Sequence, residues 1–294
     1  MVVLLSLQLF LDNLIKTLLS LIKIILLSKW NITIKMKRQS RDCIILGNGP
    51  SLNNVLEKEI DILLGKDLLC VNYFVLSKFY KILKPTYYVI NAPELWNKNA
   101  IEKIKEDSEK LFRSIGEETN WELTLFIPFS ANTNKKWLSD LGSNKNICIS
   151  YYNPTPIDGF ECTNSFFFKY GFGMPRPHNV IIPSLIFTIR MRYQNIYLLG
   201  VDHSWLKEIT VDNDNNVLIN QKHFYDTQTS VPQTMHKKGI GQRRLHEVLQ
   251  KFVYSFKGYF DIKNFALRQK VTIYNCTPDS YIDAFEKKRL DQIN

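Results

Sequence analysis

Cys43-Ile44-Ile45-Leu46-Gly47-Asn48-Gly49-Pro50-Ser51-Leu52 is the stretch that decides the fold. A short apolar run rich in isoleucine predicts a buried strand over Cys43–Gly47. Gly-Asn-Gly-Pro then turns the chain, and Ser51 is placed to cap a following helix. Small residues at a strand-to-helix turn let a ligand approach the backbone, and a helix N-terminus offers N–H groups to an anion. Gly47, Asn48, Gly49, Pro50 and Ser51 are therefore candidate binding residues. The stretch has neither the Gly-Lys-Ser/Thr of a Walker loop nor the third glycine of the dinucleotide fingerprint. A tight turn without a ligand is the alternative.

Working outward, short aliphatic runs alternate with longer amphipathic ones. The runs predict strands at Cys43–Gly47, Leu68–Asn72, Tyr87–Asn91, Leu123–Pro128, Asn146–Ser150, Asn195–Val201 and Val271–Asn275. Helices are expected at Asn53–Leu64, Phe74–Leu83, Asn97–Ser114, Val180–Tyr193, Gln242–Phe256, Tyr259–Arg268 and Ser280–Leu290. Such alternation predicts an α/β, Rossmann-like fold with a mostly parallel sheet and helices on both faces. Residues 151–178 and 203–241 break the rhythm and read as irregular. The second of these is the expected lid, with Asp212-Asn213-Asp214-Asn215-Asn216 as a turn.

Ligands of open parallel sheets bind beyond the carboxyl ends of the strands. There the next two strands deliver Asn72 and Asn91, whose amides suit a base edge or ribose and equally suit a turn. The run Ile196–Val201 delivers Gly200 and then Asp202, which could meet a ribose hydroxyl, a metal or an acceptor. Among the histidines, His223 in the lid and His246 beside Glu247 are candidate general bases. His178 and His203 sit at segment edges and His236 in a polar stretch, with no role assigned. Thr277 and Ser280 suit phosphate or cap contacts. The five cysteines form no C-x-x-C pair and no zinc-ligand cluster, so reduced thiols and no metal site are expected.

The net charge of +10 is uneven: residues 1–41 hold seven basic residues against Asp12, a net +6, leaving +4 for the rest. The basic balance therefore belongs to the N-terminal segment, and no nucleic-acid partner is expected. Residues 2–27 are leucine- and isoleucine-rich, with polar positions 12, 13, 16, 20 and 23 on one side of a helical wheel. Asp12, Lys16 and Lys23 argue against a span. The pattern is that of an interfacial helix on an anionic cytoplasmic leaflet. A true anchor, a helix packed on its own protein, and a start at Met36 are the alternatives. Residues 1–41 are thus expected as a membrane-associated segment and 42–294 as the catalytic domain, cytoplasmic and peripheral to the inner membrane.

The run Ile44–Leu52 resembles the opening of bacterial lipooligosaccharide sialyltransferases. It also resembles the wider group of motility-associated flagellin glycosyltransferases and archaeal 6-hydroxymethylpterin diphosphokinases. The likeness continues, in patches, through Asn72, Asn91, Ile196–Asp202 and Tyr274–Ser280. It implies a single Rossmann-like domain with a lid, and a cytidine nucleotide held around Asn48, Gly49, Ser51 and Asn72, with Asp202 near. It further implies inverting transfer by a histidine base without a metal or other cofactor. The position of that base, near Ser255 to Gly258, holds no histidine here. The expectation is a glycosyltransferase taking a nucleotide sugar, such as a CMP-activated nonulosonic acid, to a glycan or lipid-linked acceptor in surface polysaccharide or lipooligosaccharide assembly. A Mg²⁺-dependent pterin diphosphotransferase using Asp202 and a second carboxylate, and a non-catalytic nucleotide-binding membrane protein, are the rivals.

Overall fold

The computed structural model describes residues 2–30, 38–220, 224, 232–237 and 241–293. An eight-stranded, all-parallel sheet forms its centre. The strands are β1 (Asp42–Leu46), β2 (Asp67–Val71), β3 (Tyr87–Val89), β4 (Leu123–Pro128), β5 (Ile147–Tyr152), β6 (Asn195–Leu199), β12 (Thr272–Asn275) and β13 (Glu286–Lys287). Their order is β13-β12-β6-β1-β2-β3-β4-β5. From β1 the chain builds outward through β5. It then returns to pair β6 on the other side of β1, Leu46 against Leu199. The order reverses between β1 and β6, and a switch of this kind opens a crevice at the strands' carboxyl ends.

Strand side chains alternate between two cores, as a sheet covered on both faces requires. Cys43, Ile45, Leu69, Val71, Ile196 and Leu198 face the first core. It is covered by α6 (Glu161–Tyr170), α7 (Ile181–Arg190) and α8 (Leu245–Arg268). Ile44, Leu46, Leu68, Cys70, Tyr197 and Leu199 face the second. It is covered by α2 (Leu52–Lys58), α3 (Phe79–Leu83), α4 (Glu102–Glu118) and α5 (Lys136–Leu141). Each fully buried Leu or Ile contributes roughly 1.5–3 kcal/mol, so the apolar runs that end in Gly47 and Gly200 fix where those glycines stand.

Several expectations are corrected. The two helices expected over residues 242–268 are one, α8, which continues through Lys257-Gly258 where Gly258 lies against Ile182 and Pro175. No helix forms over Ser280–Leu290. Ser280 Oγ donates to the Val201 carbonyl and Asn275 Nδ2 to that of Ile282, and the chain then pairs as β13 along β12. Ile282, Ala284 and Phe285 enter the first core from this edge. The irregular stretch 151–178 contains α6, whose end is set by Gly171 in the left-handed region at φ 74°. In the segment expected as a lid, the described residues build a small antiparallel sheet of β7 (Ile209–Val211), β8 (Val217–Ile219) and β9 (Gln233–Thr234). A two-strand ladder of β10 (His236–Lys237) and β11 (Gly241–Gln242) follows. Val217 and Ile219 pack on Val248 and Phe252 of α8. The acidic turn forms as expected, with Asp212 Oδ1 accepting the Asp214 and Asn216 N–H groups.

The N-terminal α1 (Val2–Leu27) lies on the domain. Thr17 Oγ1 accepts the Phe160 N–H, and Ser20 Oγ exchanges bonds with the backbone of Asp158 at 2.8 and 2.9 Å. Ser28 Oγ meets Thr155 Oγ1, and the Asn153 amide bonds both backbone groups of Lys29. Among the described residues no helix is long and apolar enough to cross a membrane.

Candidate functional site

A cleft of about 1130 Å³ opens at the switch point, lined by the loops that follow β1, β2, β3 and β6. Gly47, Asn48, Gly49, Pro50, Asn72, Asn91, Gly200 and Asp202 all line it. The structure thus brings together every expected binding residue except Ser51, which stands just behind and bonds Asp202. His246, exposed at the start of α8, is not among the lining residues. His223 lies outside the described residues.

The local chemistry differs from the expected phosphate cradle. The loops after β1 and β6 sit backbone to backbone, with Gly47 N–H donating to Leu199 O and Gly49 N–H to Gly200 O, both at 2.8 Å. A Cβ on Gly49 would stand 1.9 Å from Asp202 Oδ2. The glycine there serves the contact between loops, and is not a gap left for a ligand. Ser51 makes no side-chain cap. Its N–H and hydroxyl both donate to the Asp202 carboxylate, at 3.2 and 2.8 Å. The start of α2 therefore already holds an anion, and that anion is Asp202. Burial pushes the Asp202 carboxyl above its usual range, the two Ser51 bonds oppose the rise, and Asp279 adds to it.

Two of the three rim asparagines spend their amides on the rim. Asn72 adopts φ 45°, a left-handed turn that asparagine tolerates, and its Oδ1 accepts the Asn91 N–H. Asn91 Nδ2 donates to Pro177 O and Asn179 O, while its Oδ1 accepts the Tyr152 hydroxyl. Asn91 thereby pins the segment that carries His178 and Asn179 into the cleft. Asn48 is different: Nδ2 donates to Val71 O, but Oδ1 is buried without a partner among the described residues.

That unpaired atom has company. Nine buried side-chain atoms lack a partner among the described residues, and five belong to cleft residues: Asn48 Oδ1, His178 Nε2, Asn179 Nδ2, Asn220 Oδ1 and Arg243 Nε. Buried polar groups in folded proteins are otherwise almost always paired. A second recess of about 460 Å³, beside Thr277 and Arg289, holds none of the nine. Thr277 there has a structural part, taking the Val201 N–H and facing Leu198 O.

No protein-family model and no curated protein sequence matches this chain. What the cleft can bind rests on its own groups.

Two histidines reach it that the sequence left without a role. His178 stacks on Tyr254, and burial together with the charges of Lys251, Arg176 and Arg243 brings its pKa down to about 4. His203 adopts φ 50°, stacks on Trp205 with ring centroids 4.1 Å apart, and lies 3.2 Å from the Tyr259 hydroxyl. Burial lowers its pKa to about 3. Both imidazoles are therefore neutral at pH 7, and the causes that keep them so make them weak bases in the empty cleft. Beside His178, Arg243 and Lys251 give the cleft a cationic wall. Asn179 joins the two sides: its Oδ1 accepts the Ile181 and Ile182 N–H groups and the Tyr259 hydroxyl, leaving Nδ2 for the cleft.

Proposed function

We propose that this chain is a glycosyltransferase that takes a nucleotide-activated sugar and passes the sugar to a hydroxyl of a glycan or lipid-linked acceptor in surface polysaccharide or lipooligosaccharide assembly. A CMP-activated nonulosonic acid is the first donor to test. One observation carries the reading: five of the nine buried polar side-chain atoms that lack a partner among the described residues gather in a single cleft at the switch point of a parallel sheet. Asn48 Oδ1 and Asn179 Nδ2 supply an acceptor and a donor for a base edge or ribose. Arg243 and Lys251 supply positive charge for the donor's phosphate.

His178 fits the base better than His246, which stands exposed outside the cleft lining. The Nε2 of His178 has no partner among the described residues and lies in the cleft, and its neutral ring can take the acceptor's hydroxyl proton. The acceptor oxygen then bonds to the anomeric carbon as the sugar–phosphate C–O bond breaks, and the nucleotide leaves with the electron pair. An anionic donor seated beside Arg243 and Lys251 offsets the coulombic share of the His178 depression, the smaller part after burial, and so moves its pKa upward toward the range where a base is effective.

The diphosphotransferase reading finds less support. Asp202 has both carboxylate oxygens on Ser51, and among the described residues no group of three His, Cys, Asp or Glu side chains stands together as metal ligands. Incubation with a panel of nucleotide sugars and glycan acceptors is the test. Transfer, or slow donor hydrolysis, is expected, with a loss of about 10²–10⁴-fold in His178→Gln while nucleotide binding persists. No turnover with any donor would overturn the enzymatic reading. Full activity in His178→Gln would return the base to His223 or His246.

A further inference from the structure

The amphipathic helix α1 is mounted in reverse. Thr17, Ser20, Ile24 and Ser28, one turn apart along the helix, face the domain. Three of these four are polar, and all three are bonded to residues 155–172. Thr17 sits directly on Gly159, where a Cβ would lie 2.2 Å from Thr17 Oγ1. The sequence suggested that polar positions such as 13, 16, 20 and 23 would face headgroups and water. The structure turns Ser20 inward and half-buries Asn13, Lys16 and Lys23.

Among the described side chains most of the remaining helix surface is apolar and exposed, interrupted by Gln8, Asp12, Asn13, Lys16 and Lys23. Leu11, Ile15, Leu18, Ile22, Ile25 and Leu26 are exposed, Leu26 by 74%. From Leu5 to Leu27 the helix runs ~35 Å at a width of ~11 Å, so half that surface is about 600 Å². The largest apolar patch of an ordinary monomer is roughly 300–600 Å². The patch also has an aromatic border. Trp30, 62% exposed just past the helix, touches Phe172 at 4.8 Å between centroids. From there rings run through Phe167 and Phe166 to Tyr170, and Phe166 and Tyr170 are exposed on α6. Lys169 stands exposed over the Tyr170 ring, and Lys29, exposed next to Trp30 in the chain, stands over Phe129. The charged pair on the helix is internally neutral, with Lys16 Nζ 2.6 Å from Asp12 Oδ2.

We infer that the outer face of α1, with Trp30, Phe166 and Tyr170, docks flat on an anionic lipid surface. Leucines and isoleucines enter the acyl boundary, aromatic rings sit at headgroup level, and the lysines meet lipid phosphates. Hydrogen bonds to the domain hold the orientation before the membrane is met. A second copy of the chain fits this face less well, because pairing would bring together two N-terminal segments of net +6 each. The inference does not depend on what the cleft binds.

The full chain is to be co-sedimented with vesicles of phosphatidylcholine alone and of phosphatidylcholine with phosphatidylglycerol, beside the double variant Ile15→Glu, Ile22→Glu. Both substituted positions are exposed, and an unchanged urea midpoint confirms that the variant folds. At least tenfold tighter binding to the anionic vesicles is expected, with at least a tenfold loss in the variant. Brominated lipid should quench a tryptophan signal that Trp30→Phe removes. Vesicle binding indifferent to the double substitution would overturn the proposal. So would a dimer that binds no vesicle and separates into monomers in the variant, which assigns the face to a second copy.

Discussion

Replacing His203 by asparagine removes a titrating group while keeping a residue type that accepts the left-handed backbone at φ 50°. In the folded protein burial holds the His203 pKa at about 3. In the unfolded chain an imidazole titrates near 6.5. Between those values the unfolded chain binds a proton that the folded chain does not, so stability rises with pH across the window. It is fully present above about pH 6.5 and is lost as pH falls toward 3. The whole shift corresponds to roughly 5 kcal/mol at about 1.4 kcal/mol per pH unit. Below about pH 5 carboxylate protonation overlaps with it, so the useful interval is about 6.5 down to 5, where His203 alone accounts for roughly 2 kcal/mol. His178, also lowered but half-exposed, adds a smaller share in the same direction. Urea melts of wild type and His203→Asn at pH 7.5 and 5.0 give the four values needed. The wild type should lose about 2 kcal/mol more than the variant between the two pH values. Equal losses would mean that His203 is hydrated or already charged, and would refute a neutral, buried imidazole at the edge of the cleft.

Three further outcomes are expected. Gly49→Ala should drive the Asp202 carboxylate off Ser51. At about 1.5–3 kcal/mol for each hydrogen bond to a charged group, it should lower the thermal midpoint by several degrees, and an unmoved midpoint contradicts the loop packing. Asn91→Ala should release Pro177 and Asn179 from β3. Stability should fall by roughly 1–3 kcal/mol, and faster amide exchange should be confined to the segment around His178. Arg243→Met and Lys251→Met should each raise the His178 titration midpoint from about 4, because each removes a charge that depresses it. NMR titration of the imidazole reads this, and a fall or no change would show that the cationic wall does not face the ring.

The parallel sheet was legible because its strands are buried on both faces. Runs such as Cys43–Leu46 and Tyr197–Leu199 are apolar throughout, and no alternation had to be resolved. The rim of the cleft followed from topology: once the strands were placed, Asn48, Asn72, Asn91 and Asp202 had to share one edge. What those residues do there was not legible. That Asp202 occupies the start of α2, and that Asn91 holds a loop, are pairings between residues far apart in the chain. The helix expected at Ser280–Leu290 failed because the open edge of β12 offered its backbone partners that no local pattern reports. His178 and His203 were passed over for the same reason, since their burial depends on Tyr254, Trp205 and Tyr259 arriving from other elements. On α1 the amphipathic pattern was plain, but which side met the domain depended on Asn153, Asp158 and Gly159.

We propose that the cleft between the loops after β1 and β6 holds the nucleotide of a sugar donor. Thermal-shift measurement of the full chain against CMP, UDP, GDP and ADP, with Arg243→Met in parallel, tests it most directly. A ligand at a hundred times its Kd adds about 2.7 kcal/mol to the folded state, a shift of several degrees. Stabilisation by one of the four, weakened in Arg243→Met, is the predicted result; no shift with any of them at millimolar concentration, or a shift that Arg243→Met leaves intact, would contradict it.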